Sequence, residues 1–174
     1  MKATRFVWQA VCCLALFVCF QITATAQDAP KPGPEHAVLK ELVGDWDATM
    51  KMGPQESKGT MTYKMMSGDM WVVYDFKGEF MGAPFVGHGF MGYDVSKKKY
   101  VSVWIDSMGT PPMISEGTYD AAKKTMTEVG EAMGPDGKMS KMKMVTEMKS
   151  KDEMLFTMHH GDQPAMTITY KRKK

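Results

Sequence analysis

The chain has 174 residues, 24% of them charged, and a formal net charge of +2. That suits one globular domain and leaves no basic field for nucleic acid. All three cysteines, Cys12, Cys13 and Cys19, sit near the N-terminus, so the rest of the chain has no disulfide, thiolate nucleophile or cysteine-ligated metal.

Residues 1–26 read as a signal peptide. Lys2 and Arg5 form a basic start, Val7 to Ile22 is almost wholly apolar, and Ala24-Thr25-Ala26 is a small-x-small cleavage site. The apolar run is short for a membrane span of ~20 residues. Val18 before Cys19 speaks against lipidation, where a small residue is needed. The expectation is an exported protein, periplasmic or extracellular, that starts at Gln27 and keeps no integral membrane anchor. Lys2 and Arg5 account for the charge surplus, so the remainder is balanced. Residues 27–34 are proline-rich and polar, a linker, and residues 35–174 form the domain.

Pro34 to Val43 reads as one short helix, with Pro34 and Glu35 in its first turn, Val38, Leu39 and Leu42 on one face, and Gly44 to end it. The period then changes to two. Trp46, Ala48, Met50 and Met52 alternate with polar residues, and so do Met61, Tyr63 and Met65. Further strands are expected over Met70 to Phe76, Phe85 to Tyr93, Tyr100 to Asp106, Met113 to Tyr119, Thr125 to Met133, Met139 to Lys149, Met154 to His160 and Ala165 to Lys171. The connections read as turns at Gly53-Pro54, Ser67-Gly68-Asp69, Asp120 to Lys124, Gly134-Pro135-Asp136-Gly137, Ser150-Lys151-Asp152 and Gly161-Asp162, with a longer loop over Phe80 to Pro84. About ten short strands joined mainly by turns predict an all-β fold, a single antiparallel meander barrel with one short N-terminal helix closing one end. A two-sheet sandwich is the alternative.

The Gly44-Asp45-Trp46 start resembles that of calycin barrels, the lipocalins and fatty-acid-binding proteins among them. Pro34-Glu35-His36 through Trp46, Gly87 to Asp94, Tyr100 to Thr110, Ser115 to Asp120 and Tyr170-Lys171-Arg172 together resemble the family of domain of unknown function 1579. The resemblance spans nearly all of the chain after the leader. It implies a calycin-like barrel and no established activity. It also implies a structural closure by Gly44, Trp46 and Arg172, with the last-strand cation lying over the first-strand tryptophan. Thr118-Tyr119-Asp120 departs from the lipocalin middle motif, and a ten-strand count fits fatty-acid-binding and nitrobindin-type barrels better. In nitrobindin-type barrels a late-strand histidine holds haem iron, which directs attention to His160.

Gly87-x-Gly89-x-x-Gly92 matches the dinucleotide fingerprint in form, but that chemistry needs a following helix, and Asp94-Val95-Ser96-Lys97 is a turn into another strand. Glycines so spaced on a strand permit curvature at a barrel corner. The chain has 20 methionines, all but Met1 beyond the leader. They suit flexible apolar packing, an adaptable lipid-like site, a sacrificial oxidation sink, or Cu(I) capture by thioethers. Copper needs several to converge, whereas a barrel wall disperses them. His36 is expected on the helix surface or at its cap. His159 and His160 point to opposite faces, with His160 toward the lumen. The candidate lumen set is Tyr63, Tyr74, His88, Tyr100, Trp104, Glu116, Met142, Met144 and His160.

The leading expectation is lumen binding of a small hydrophobic or amphipathic molecule without catalysis. No cofactor is required by that reading. Haem or copper on His160 and the methionines is one alternative; an enzyme with a lumen carboxylate is another, drawn from Glu116, Asp106 and Asp75, though no nucleophile–base pair is evident. Oligomeric state is left open. Expressed with its leader in a secreting host, the protein is expected to begin at Gln27 by intact mass; a recovered chain that keeps residues 1–26 identifies an anchor instead.

Overall fold

Alternation of apolar and polar side chains makes each strand two-faced, and a two-faced strand is stable only with its apolar face covered. In the computed structural model, which describes residues 31–66, 68–133 and 137–174, ten such strands cover one another by closing into a barrel. The leader, its cysteines, Ser67 and the Gly134-Pro135-Asp136 turn lie outside the described residues.

The strands are β1 Gly44–Met52, β2 Gln55–Met65, β3 Trp71–Phe80, β4 Ala83–Asp94, β5 Lys99–Asp106, β6 Met113–Asp120, β7 Thr125–Met133, β8 Met139–Ser150, β9 Glu153–His160 and β10 Gln163–Arg172. Each pairs antiparallel with its sequence neighbours, and β10 returns to β1. Closure leaves no unpaired edge. The expected loop over Phe80 to Pro84 is instead a two-residue turn, Met81-Gly82, both at positive φ. That turn type matches the twist of the flanking strands, so β3 and β4 run farther than alternation alone indicated.

The single helix expected from Pro34 to Val43 divides into a 3-10 turn, Pro34–His36, and α1, Ala37–Leu42. Gly44 does not end it. Val43 is the cap, and Gly44 opens β1 at φ +132, a backbone state that suits glycine. A Cβ there would also lie 2.5 Å from Arg172 Nη1. Val38, Leu39 and Leu42 bury against the barrel end. His36 is buried rather than on the helix surface, and it acts as a cap, its Nδ1 3.0 Å from the Gly33 backbone N. Tyr100 donates to Glu35 O at 2.7 Å and ties this segment to β5.

Arg172 joins helix, first strand and last strand. It pairs with Trp46 across the β1–β10 seam, and its guanidinium lies 4.0 Å from the Trp46 ring centroid. Nη1 donates to Val43 O at 2.5 Å, Nη2 to Glu41 O at 2.8 Å and Nε to Lys151 O at 3.0 Å. Trp46, 1% exposed, donates through Nε1 to Leu42 O at 2.9 Å. Arg172→Ala removes the cation and leaves three carbonyls without their donor. The expected loss is about 2 kcal/mol in urea unfolding, and Arg172→Lys restores only part of it because an ammonium cannot span the three acceptors.

Candidate functional site

The inner face divides into two halves. Toward the helix, inward side chains are sealed: Leu39, Trp46, Val72 and Met154 are at most 1% exposed. Toward the opposite end, Phe80, Phe85, Trp104, Met113, Met158 and Met166 also point inward by strand parity but stay partly exposed, which marks a mouth. At its rim, Met50, Met52, Phe80 and Met81 line a recess of about 330 Å3.

One wall of the lumen is aromatic. Tyr63 lies 5.3 Å from Tyr74, and Tyr74 stacks on Trp104 at 5.8 Å with ring planes 15° apart. These rings lie flat on β4 because it presents glycine beneath them. A Cβ on Gly87 would overlap the Trp104 indole, and one on Gly89 would overlap the Tyr74 ring. The dinucleotide-like spacing is thus a seat for aromatic rings. Trp104 Nε1 donates to Asp106 Oδ2 at 2.9 Å, which fixes its ring at the mouth.

Facing this wall is a carboxyl that the sequence reading did not single out. Glu128 on β7 is 6% exposed. Its Oε1 accepts Ser102 Oγ at 2.6 Å and Ser115 Oγ at 2.9 Å, and the two hydroxyls are 2.5 Å apart. Among the described residues no cation pairs with it. Burial pushes the Glu128 carboxyl above the ordinary range, partly offset by the serine hydrogen bonds. Burial, and then the nearby Glu128 charge, also raises the Tyr63 and Tyr74 hydroxyls. Among the described residues Oε2 has no hydrogen-bond partner, so one carboxyl oxygen is left over on the inner face.

The expected lumen set separates accordingly. Tyr63, Tyr74, Trp104, Met142 and Met144 are on the inner face, around Glu128. Tyr100 is inward but belongs to the sealed end, where burial pushes its hydroxyl up to about 12 and Glu35 O occupies it. His160 has inward parity yet is exposed at the rim, opposite Met142. Two placements are corrected. His88 is outside the barrel, ion-paired with Asp75. Glu116 is also outside, at 2.7 Å from Lys97 and 2.9 Å from Lys99, which hold its carboxyl below the usual range. Both lie one residue out of phase with the inner face, since Gly87, Gly89, Ser115 and Gly117 are the buried ones.

Parity held the trace of Glu128: it falls between Met126 and Gly130 on one face of β7. Val129 on the other face blurred the alternation. Because the folded state retains the Glu128 proton to higher pH than the unfolded chain, its contribution is fully present below the ordinary value of 4.5. It is lost as pH rises through the raised folded value. Glu128→Gln, which has no proton to lose, is expected to gain stability relative to wild type as pH rises from 4.5 toward neutrality. Paired urea titrations at several pH values measure the difference; parallel curves would place Glu128 in contact with solvent.

With this geometry in place, known proteins bear on the fold. The crystal structure of Rv2717c from M. tuberculosis is similar at a TM-score of 0.59 and 16% identity, over 82% of this chain and 99% of that one. A de novo designed fluorescence-activating β-barrel is similar at 0.46 and 15% identity, over 78% and 97%. No curated protein sequence matches the chain. The family model described as protein of unknown function (DUF1579) matches residues 31–172. The chain, a closed ten-strand barrel with a carboxyl in its lumen, belongs to the DUF1579 family.

Proposed function

We propose that the protein binds a small amphipathic molecule in the open half of its barrel and holds it without transforming it. The observation that carries this reading is the Glu128 carboxyl, buried on the inner face with two serine hydroxyls on Oε1 and, among the described residues, no hydrogen-bond partner for Oε2. A buried carboxyl without a cation costs stability, and packing alone gains nothing from it. Its carboxyl can donate a hydrogen bond when protonated and accept one when ionised, and the aromatic and methionine walls suit the apolar body of a ligand. The ligand class is therefore a compact apolar molecule bearing one hydroxyl, carbonyl or amine. The leader expected at residues 1–26 puts this work in the periplasm or outside the cell.

The elevated Glu128 pKa also favours a second reading, in which the same acid protonates a bound substrate. It differs in that the bound compound would be consumed.

Solvent extraction of purified, denatured protein with mass spectrometry of the extract tests the first reading. Wild type is expected to release one such compound at near-stoichiometric yield. Glu128→Leu, with unchanged circular dichroism, is expected to retain about tenfold less, the equivalent of one lost hydrogen bond to a buried group. Equal retention by both proteins, or nothing from either, overturns the proposal; conversion of the extracted compound on adding it back moves the assignment to the enzyme.

A further inference from the structure

We propose that the mouth of the barrel carries a Cu(I) site made from the methionine thioethers of β8, β9 and β10, with His160 at its edge. The dispersal expected of residues on a barrel wall does not hold here, because the strand register gathers them. Met144 lies opposite Met158, and Met158 lies opposite Met166, so three thioethers occupy one ladder row on three adjacent strands. All three have inward parity. The next pair toward the rim is Met142 and His160. On β1, Met52 lies one residue beyond the Lys51–Thr167 pair and extends the same row toward Met166.

Opposed residues on an antiparallel pair hold their Cβ atoms about 4.5–5.5 Å apart, and an unbranched methionine side chain turns freely about its bonds. The sulfurs of Met144 and Met166 therefore swing to one point above Met158. Two of the three thioethers in the row stay reachable by an ion. Met158 and Met166 are partly exposed, whereas Met142 and Met144 are 8% and 4% exposed and stand outside the apolar cluster around Trp46. His160 is exposed and makes no hydrogen bond among the described residues, which leaves an imidazole nitrogen for a fourth ligand.

Ligand chemistry selects the ion. Among the described residues no three His, Cys, Asp or Glu side chains gather as a metal site, so hard and borderline cations lack a donor set. Thioethers are soft, neutral donors and favour Cu(I) over Zn2+, Mg2+ or Ca2+. They do not protonate, so the sulfur ligands are kept in mild acid. The copper row shares Met144 with the wall beside Glu128 but does not use the acid, so Glu128→Leu should leave Cu(I) binding intact while lowering ligand retention.

The test is anaerobic titration of the purified full chain, its cysteines alkylated, with Cu(I) in competition with bicinchoninate. One equivalent is expected to bind, with a sulfur-dominated X-ray absorption spectrum and affinity largely kept at pH 5. Loss of even an outer-shell partner costs a metal site about 10–100-fold, so Met144→Leu and Met158→Leu should each weaken binding at least about tenfold. Met61→Leu, at the sealed end opposite Trp46, should leave it unchanged. Leucine nearly conserves volume, and the wild-type spectrum gives an answer that does not depend on any variant folding. No competition for Cu(I), a nitrogen- and oxygen-dominated spectrum, or equal weakening in Met61→Leu each overturns the proposal.

Discussion

The seam between β1 and β10, held by Arg172 over Trp46, is the contact on which the barrel depends. A meander without this closure is an open sheet with two free edges and an uncovered apolar face. Closure also fixes phase. Side chains alternate with a period of two, so a one-residue slip at any ladder would turn an inner face outward. Arg172 resists that slip at the one ladder whose strands lie farthest apart in sequence. It reaches Val43 and Glu41 in the helical segment and Lys151 in a turn. The cation–π contact with a tryptophan that is itself hydrogen-bonded to Leu42 O makes helix docking and strand closure one event.

From that sealed end the interior changes character toward the mouth. Trp46, Val72 and Met154 are packed as in any core, while Glu128, Ser102 and Ser115 put polar atoms where apolar packing would be more stable. Desolvation raises the Glu128 carboxyl above the ordinary range, and the two serine hydroxyls partly offset that rise. Glycines at 87 and 89 let Trp104 and Tyr74 lie flat against β4. The same economy of volume explains the methionines: flexible, unbranched side chains fill the irregular space between flat rings and a curved wall.

Methionine at the mouth differs in kind from methionine at the sealed end. Met154 and Met61 are packed into the apolar cluster, whereas Met144 and Met158 stand outside it and form a row with Met166, which packs against the cluster's edge. A one-residue irregularity in the β9–β10 ladder, between Pro164 and Met166, brings Met166 opposite Met158. Without it Ala165 would take that place.

Much of the architecture was legible along the chain, because secondary structure here follows from local alternation and short turns. Ten strands, the short N-terminal helical segment and the antiparallel meander all rest on neighbours within a few residues. Strand ends were less so: β3 and β4 extend past Phe76 and before Phe85 because Met81 and Gly82 adopt positive φ, which composition alone does not dictate for methionine. The site was legible only in part. Tyr63, Tyr74, Trp104, Met142 and Met144 share the inner face, but His88 and Glu116 do not, and Glu128 passed unnoticed beside Val129. Facing direction is a phase relation, and phase is set by cross-strand pairing over separations as long as that from Trp46 to Arg172. Sequence by itself determined that the strands form and that they follow one another as an antiparallel meander. Only the tertiary structure decided which carboxyl is buried and which methionines meet, because both depend on register, a long-range property fixed by closure and by single-residue irregularities.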